Sequence, residues 1–387
     1  MLGRRTPFFL IVIMMASPVW AQQVQSLEHD SLNGRENSLV HVDANTYALA
    51  YAGNGSDGFI KTFSISADGM TITQVQSFEH DTLSAVSNSL VQVDADTYAL
   101  AYAGPGLDGF IKTFDISADG TTITQVQSFE HDTLNGTHNS LVRVDADTYA
   151  LAYAGDGDDG FIKTFDISAD GTTITQVQSF EHDNLNGTHN SLVHVDANTY
   201  ALAYAGDEDD GFIKTFTISA DGLTITQVQS VEHDPLNGQY NSLVHVDGNT
   251  YALAYAGSGL DGFIKTFSIS ADGTTVTEVL PIGHDTSLGV FNSLAQVDAD
   301  TYALAYAGTD FDGFIKTFTI SADGLMITEV QSVEHDLLNG QYSSLTQVDA
   351  DTYALAYAGD GNVGLIKTFT ISGTGMVPVT LESFTIE

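Results

Sequence analysis

The sequence predicts an all-β protein, a seven-bladed β-propeller with four antiparallel strands in each blade. Three observations lead to this fold. The chain repeats itself with a period of 51 residues, a length typical of blades or solenoid units. Within each repeat, short runs rich in Val, Ile, Tyr, Phe and Thr are separated by Gly, Asp and Asn turns, and none has helical periodicity. Seven such copies are enough to close a ring of blades.

Two columns of the repeat define its period. A His-Asp pair recurs once per repeat, and its histidines are His29, His80, His131, His182, His233, His284 and His335. A Tyr-Ala-Leu-Ala-Tyr-Ala-Gly segment recurs at the same spacing, starting at Tyr47, Tyr98, Tyr149, Tyr200, Tyr251, Tyr302 and Tyr353. In a strand this alternation puts Tyr and Leu on one face and Ala on the other. We therefore expect the bulky face of one blade to pack on the flat face of its neighbour.

The first repeat shows where the strands and loops fall. Strands are predicted over residues 38–43, 47–52, 59–65 and 71–78. The tight turns between the first and second and between the third and fourth strands lie on one face of the ring, which we call the turn face. The second-to-third loop and the connection to the next blade lie on the opposite face, the loop face. Because the second-to-third loop varies most between repeats, we predict that binding takes place on the loop face.

The two ends of the chain differ from the repeats. Residues 1–21 are predicted to be a secretory signal peptide, because Arg4 and Arg5 precede an apolar run too short to span a bilayer and a small-residue cleavage site ends at Ala21. We therefore expect a secreted protein, whether extracellular, periplasmic or at the cell surface. Residues 22–375 form the predicted propeller, and residues 22–30 match a fourth strand that closes the seventh blade. The tail, residues 376–387, is the alternative closing strand, and it also resembles the linker before C-terminal sorting domains of secreted bacterial proteins.

Composition limits the partners. The net charge is −39, from 50 acidic and 11 basic residues, which argues against nucleic acid and anionic membranes as partners.

Each lysine is a repeat residue between two aromatic or apolar neighbours, and we expect a repeated salt bridge with the lysine stem packed on aromatic rings. These are Lys61, Lys112, Lys163, Lys214, Lys265, Lys316 and Lys367. There is no cysteine, and no segment predicts a membrane span. We expect a monomer.

The His-Asp pairs admit two interpretations. One is seven metal or catalytic sites. The other rests on a resemblance to tryptophan-aspartate repeat propellers, which implies a structural hydrogen bond from each histidine to an aspartate of the second-to-third loop. Those aspartates are Asp57, Asp108, Asp159, Asp210, Asp261 and Asp312, with Val363 as the exception. We favour the structural interpretation, because fourth strands lie far from the ring axis and their histidines cannot share one metal.

Two second-to-third loops are strongly acidic. Their carboxylates are Asp156, Asp158 and Asp159, and Asp207, Asp209 and Asp210. Oxygen ligands at this density suit a hard cation, and the loops resemble integrin-type calcium loops, although they are shorter. No cofactor is required by the sequence, and calcium is the one it suggests. The favoured interpretation is a pair of solvated acidic turns.

The inner strand carries a second candidate site. One position varies among polar residues and should face the central channel: His41, Gln92, Arg143, His194, His245, Gln296 and Gln347. Side chains of first strands surround the channel, so these residues are a candidate site for a small ligand. The favoured interpretation is a polar lining of a water-filled channel.

Function is the least determined property of the sequence. Catalysis needs different groups in defined roles, whereas seven near-identical blades supply symmetry, so we expect a protein that is not an enzyme. The favoured hypothesis is a secreted, multivalent binding module for a glycan or an extracellular polymer or protein. One alternative is a structural scaffold of the cell surface. The other is a propeller hydrolase or lyase with a site at the channel mouth, using Arg143, His194 and His245.

Overall fold

The computed structural model describes residues 21–372, which form a seven-bladed β-propeller. Across this range, 28 strands pair into seven four-stranded antiparallel sheets, and the first strands of successive sheets lie next to one another around a central channel. The predicted fold class is therefore confirmed. The predicted signal peptide, apart from Ala21, and the C-terminal tail lie outside the described residues. Between residues 21 and 372, no helix has the length and apolar character needed to cross a membrane.

Each of the first six blades runs from an inner to an outer strand in chain order. The strand β1 (Ala21–Asp30) precedes the first complete blade. The seven blades are β2 (Arg35–Asp43), β3 (Thr46–Ala52), β4 (Gly58–Ile65), β5 (Ile72–Asp81); β6 (Val86–Gln92), β7 (Thr97–Ala103), β8 (Gly109–Ile116), β9 (Ile123–Asp132); β10 (Thr137–Arg143), β11 (Thr148–Ala154), β12 (Gly160–Ile167), β13 (Ile174–Asp183); β14 (Thr188–Asp196), β15 (Thr199–Ala205), β16 (Gly211–Ile218), β17 (Ile225–Asp234); β18 (Gln239–Asp247), β19 (Thr250–Ala256), β20 (Gly262–Ile269), β21 (Val276–Asp285); β22 (Val290–Gln296), β23 (Thr301–Ala307), β24 (Gly313–Ile320), β25 (Ile327–Asp336); and β26 (Gln341–Asp349), β27 (Thr352–Ala358), β28 (Gly364–Ile371). The second-to-third loops carry short 3-10 turns at Asn54–Ser56, Pro105–Leu107, Asp156–Asp158, Asp207–Asp209, Ser258–Leu260, Thr309–Phe311 and Asp360–Asn362.

The ring closes through its N-terminal strand. β1 pairs antiparallel with β28, with Leu27 opposite Ile366 and Glu28 opposite Leu365. The seventh sheet therefore has the order β1-β28-β27-β26, as predicted. Closure joins the two ends of the ring without a covalent bond, and it leaves β28 with a partner instead of an open edge.

The core consists of seven layers between blades. Tyr98 and Leu100 of the second blade pack on Ala48 and Ala50 of the first, and all four are fully buried. The equivalent layers occur between every pair of neighbours. The predicted packing of a bulky face on a flat face is confirmed, and it makes each blade depend on the next.

A lysine crosses each boundary between blades. Lys112 donates to the backbone oxygen of His80 at 2.6 Å and lies 3.5 Å from the carboxylate of Asp81. Tyr102 donates its hydroxyl to the same carboxylate at 2.9 Å, and the ammonium lies 5.2 Å from the centre of the Tyr102 ring. Burial lowers the pKa of Lys112, and Asp81 opposes that shift. The predicted salt bridge is confirmed, with the difference that Lys265 and Lys316 pair with Glu278 and Glu329.

Candidate functional site

A β-bulge lies at the start of every inner strand. In β2, Arg35 pairs with Ala52 and Ser38 pairs with Ala50, so Glu36 and the next residue oppose a single residue of β3. Glu36 and its six equivalents have φ between 53° and 57°, the left-handed region that costs free energy for any residue with a side chain. These residues are Glu36, Ser87, His138, His189, Tyr240, Phe291 and Tyr342. A bulge redirects side chains, and here it redirects one from each blade.

The redirected side chains line one cavity on the loop face. Its volume is about 190 Å³, below the range of about 300 Å³ and more that is typical for drug-sized ligands. Since residues of all seven blades line it, the cavity lies on the ring axis, at the mouth of the channel. We call its lining the mouth ring: Glu36, Asn37, Ser87, Asn88, His138, Asn139, His189, Asn190, Tyr240, Asn241, Phe291, Asn292, Tyr342 and Ser343.

Five aromatic side chains form an arc along the mouth ring, from the third blade to the seventh. The ring centres of His138 and His189 are 4.4 Å apart, and those of His189 and Tyr240 are also 4.4 Å apart. The arc continues through Phe291 to Tyr342 with spacings of 4.6 and 4.3 Å. Neighbouring planes differ by 48–58°, close to one-seventh of a turn. The remaining part of the ring, in the first two blades, is polar.

Glu36 is the acidic group of the mouth ring. Its Oε2 accepts a hydrogen bond from the backbone amide of Ser87 at 3.1 Å. Burial raises the pKa of Glu36 above its ordinary value of 4.5, although the amide of Ser87 and the charge of Arg35 act in the opposite direction. A carboxylate with a raised pKa is a better proton acceptor near neutral pH than a surface glutamate.

The groups on either side of Glu36 are hydrogen-bond donors. Burial and the charge of Glu36 raise the pKa of the Tyr342 hydroxyl, and a hydrogen bond from Arg35 acts in the opposite direction. Arg35 also donates to Ser56 Oγ at 3.4 Å. The tyrosine therefore keeps its proton, so Arg35 and Tyr342 present two donors beside one carboxylate.

The two histidines of the mouth ring are neutral near pH 7. Burial lowers the pKa of His138, opposed by the carboxylate of Asp158. Burial also lowers the pKa of His189 well below 6.5, and a charge on His138 would lower it further. Neutral imidazoles both donate and accept hydrogen bonds, so this side of the mouth can orient a polar ligand.

A chain of asparagines holds the strained residues in place. The side-chain amide of Asn88 donates to the backbone oxygens of Glu36 at 3.0 Å and Ala85 at 3.1 Å. The equivalent asparagines make the same pair of bonds at five other boundaries, and Ser343 replaces them in the seventh blade. Six of the seven redirected residues, all but Phe291, are thereby bonded to the following blade, which fixes the shape of the mouth.

Sequence reasoning missed the mouth ring, because residues 36 and 37 were assigned to a connection before the first strand. The sequence nevertheless contains a feature that could have indicated this site. The Glu36 column contains five residue types in seven repeats, more varied chemistry than a symmetric scaffold needs. The site is asymmetric although the fold is not.

The predicted channel residues lie at the other end of the inner strands, near the turn face. His194 and His245 donate through Nε2 to the backbone oxygens of Ala197 and Gly248, at 2.9 and 3.0 Å. Arg143 donates to three backbone oxygens of nearby turns. The other members of this column are His41, Gln92, Gln296 and Gln347. The structure thus separates the column from the mouth ring, and its role in binding stays a prediction.

The histidines of the His-Asp pairs are buried, with 5–7% of their surface exposed. The predicted hydrogen bond to a loop aspartate is wrong, since neither ring nitrogen of these histidines has a hydrogen-bond partner among residues 21–372. Instead, His131 packs edge-on against Tyr153, with ring centres 4.8 Å apart. The aspartate that does form bonds is the following one, Asp132, which accepts from Tyr153 at 2.8 Å. The ring of His131 packs instead on Gly109, the residue that follows the loop aspartate Asp108, and the structural role of the histidine stays a prediction.

The acidic loops lie on the loop face. Asp156 and Asp158 are exposed, and Asp158 accepts a hydrogen bond from Asn135 at 3.2 Å. Within the part of the chain that the structure describes, no three His, Cys, Asp or Glu side chains are grouped as a metal site. Calcium binding at these loops stays a prediction.

The described residues form a closed seven-bladed propeller with a cavity lined by residues of all seven blades. Residues 21–280, about two thirds of the chain, match the family model described as "Lactonase, 7-bladed beta-propeller". The chain belongs to this lactonase family. The resemblance to tryptophan-aspartate and integrin-type propellers, with no specific family expected, is thereby corrected.

Solved structures share the fold at low sequence identity. A periplasmic gluconolactonase of Pseudomonas aeruginosa is 15% identical with a TM-score of 0.60, covering 76% of this chain and 83% of its own. A Bacteroides uniformis protein provisionally assigned as a 6-phosphogluconolactonase is 12% identical (TM-score 0.62; 88% and 98% covered). A hypothetical selenium-binding protein of Sulfolobus tokodaii is 11% identical (TM-score 0.62; 88% and 90% covered). No curated protein matches the sequence.

Membership of the lactonase family overturns two expectations. The hypothesis of a non-catalytic binding module is wrong, and so is the expectation that the protein is not an enzyme. The family instead favours the alternative of a propeller hydrolase with a site at the channel mouth. The error came from treating seven similar blades as seven equal sites, whereas the bulge residues differ from blade to blade.

Proposed function

We propose that the protein hydrolyses lactones in the cavity of the mouth ring. The observation that carries this proposal is the placement of Glu36, with its raised pKa, and Tyr342 in the lining of a small cavity, with the donor Arg35 next to both. Membership of the lactonase family and the gluconolactonase among the structural neighbours support the same reaction.

Glu36 is the proposed general base. Its carboxylate takes a proton from water, and the water oxygen forms a bond to the lactone carbonyl carbon. The ring carbon–oxygen bond then breaks, and the proton passes from Glu36 to the released ring oxygen. The product is the open hydroxy acid, and Glu36 returns to its ionised form.

Arg35 and Tyr342 are the proposed oxyanion donors. Negative charge develops on the carbonyl oxygen as water adds, and donors that are already fixed in place stabilise it most effectively. Arg35 is held by its contact with Tyr342 and its bond to Ser56, so little reorganisation is needed. The neutral His138 and His189 orient the substrate from the opposite side.

Export of the protein belongs to this proposal. The predicted signal peptide and the periplasmic gluconolactonase among the structural neighbours both support a protein outside the cytoplasm. Immunodetection in periplasmic and culture fractions, with Arg4→Glu/Arg5→Glu as the export-deficient control, tests it. Protein confined to the cytoplasm would contradict it.

The reaction is tested by acid release in a pH-stat with a panel of γ- and δ-lactones. We expect Glu36→Gln to lower kcat by about 10²–10⁴-fold, the usual contribution of a general base. Glu208→Gln removes the same charge from an exposed loop on the same face and should leave kcat unchanged. Equal activity of Glu36→Gln and the parent protein would exclude Glu36 as the base, and a parent protein inactive on the whole panel would refute the proposed function.

A further inference from the structure

Cationic groups are scarce near the mouth ring. The seven lysines are engaged at blade boundaries, and Arg143 is bonded to turns near the opposite face. Arg35 is thus the one Lys or Arg of residues 21–372 placed at the mouth. In a chain of net charge −39, one arginine beside Glu36 leaves the site unfavourable for a substrate that carries a phosphate or several carboxylates.

An apolar sector adjoins the mouth at the fifth and sixth blades. Four partly buried side chains pack against one buried cluster of Ala256, Val290 and Ala307: Tyr240, Leu260, Leu288 and Phe291. Tyr240 and Phe291 belong to the mouth ring, whereas Leu260 and Leu288 lie beyond it and are each half-buried. The sector is therefore continuous with the cavity and open to a ligand that extends out of it.

The repeats show that this sector is specific to one part of the ring. At the Leu288 position the other repeats carry Asn33, Ser84, Asn135, Asn186, Asn237 and Asn339. Asn135, for example, donates to the backbone oxygen of Gly155 at 2.9 Å, a bond that fastens the second-to-third loop. In the sixth blade a leucine replaces this hydrogen-bonding residue, so an apolar surface stands where most other blades have a structural amide.

We propose that the substrate is an uncharged lactone with an aliphatic substituent, and that Leu260, Leu288 and Phe291 bind the substituent. This inference rests on the proposed function. The order of side chains around the mouth fits it, because Phe291 is separated from Glu36 only by Tyr342. A lactone carbonyl directed toward Arg35 and Tyr342 therefore leaves a substituent on the ring free to reach the apolar sector. Polyhydroxylated or phosphorylated sugar lactones have no group that gains from this surface.

The test compares lactones that differ only in their substituent. From γ-valerolactone (methyl) to γ-nonanolactone (pentyl), kcat/KM should rise by roughly two- to fourfold per methylene, the gain expected when each methylene leaves water. Gluconolactone and its 6-phosphate should be poorer substrates than γ-nonanolactone. A kcat/KM that is flat across the series, or highest for a sugar lactone, would overturn the inference while leaving lactone hydrolysis intact.

Variants locate the substituent. Leu288→Asn restores the residue common to the other repeats and should fold normally, with kcat/KM for γ-nonanolactone about tenfold lower and that for γ-valerolactone within about twofold. Leu260→Ser should act in the same direction, whereas Leu107→Ser, at the same repeat position in the second blade, should have no such effect. Equal losses on both lactones, or no loss, would overturn the assignment.

Binding gives an independent readout. The five-membered lactam with a pentyl group resists hydrolysis, and calorimetry should show it binding the parent protein about tenfold more tightly than Leu288→Asn. Preferential binding without any lactone hydrolysis would retain the apolar subsite and refute only the proposed reaction. Equal affinity for the two proteins would overturn the subsite.

Discussion

His131 packs against Gly109 so closely that a Cβ atom on Gly109 would lie 2.4 Å from Cε1 of the imidazole. The histidine belongs to the fourth strand of the second blade, and its ring also meets Tyr153 and Phe165 of the third blade. The glycine thus provides the space in which the histidine sits between two blades. The same relationship joins Gly58 to His80 and Gly160 to His182, so this packing helps to set the spacing of the blades.

A double-mutant cycle tests this packing. We expect Gly109→Ala to destabilise by about 1–3 kcal/mol through overpacking, and His131→Ala by a similar amount through the cavity it leaves. The double variant should lose clearly less than the sum, because the alanine methyl fills part of that cavity. Denaturant unfolding measures the three free energies. Additive losses would show that the two residues do not interact, and Gly283→Ala, whose nearest neighbour lies 3.9 Å away, is the control.

Removal of the closing strand should open the ring. Deletion of residues 22–30 from the exported form leaves β28 without its partner, and an exposed strand edge promotes association. We expect aggregates or higher oligomers in size-exclusion chromatography with light scattering. Deletion of residues 376–387 is the matched control and should leave a monomer. The opposite pattern would mean that the tail, rather than β1, closes the ring.

Acid should unfold the protein. Burial lowers the pKa of His29, His80, His131, His182, His233, His284 and His335 to about 3. Between pH 6.5 and 3 the unfolded chain therefore binds protons that the folded chain does not, and stability falls as pH falls. At pH 5 this amounts to about 2 kcal/mol per histidine, so seven together rival the whole stability of a typical domain.

Calorimetric unfolding at pH 7.5 and 5.0 measures this loss. The melting temperature should drop steeply, and His131→Gln should weaken the pH dependence because one buried histidine is gone. A melting temperature that is unchanged between these pH values would contradict the account. The lowered pKa values of Asp81 and Asp132 act in the same direction at lower pH.

Calcium binding at the acidic loops is tested by titration after chelation. If calcium binds, we expect about two sites, at Asp156, Asp158 and Asp159 and at Asp207, Asp209 and Asp210, with a rise in melting temperature by mass action. Asp158→Asn should remove one of them. A stoichiometry near seven would instead assign the ligands to the repeated Glu-His-Asp segments, and no heat at millimolar calcium would leave the loops as solvated turns.

The fold was predictable because its signals are repeated seven times. The Tyr-Ala-Leu-Ala-Tyr-Ala segment predicts which face of the second strand is bulky, and the unmatched strand at residues 22–30 predicts how the ring closes. The site was not predictable in the same way. It depends on a bulge that turns Glu36 toward the axis, and strand periodicity gives no warning of a bulge without a glycine. A comparison that looks for what the repeats share also hides a site whose residues differ chemically from blade to blade.

The central claim is that lactones react at the loop-face mouth, and the position of a bound substrate analogue tests it most directly. A crystal structure with the pentyl lactam should place its carbonyl oxygen within hydrogen-bond distance of Arg35 or Tyr342, beside Glu36. The pentyl group should lie on Leu288 and Phe291. An analogue bound instead among Arg143, His194 and His245 at the turn face would contradict the account and restore the column predicted from the sequence.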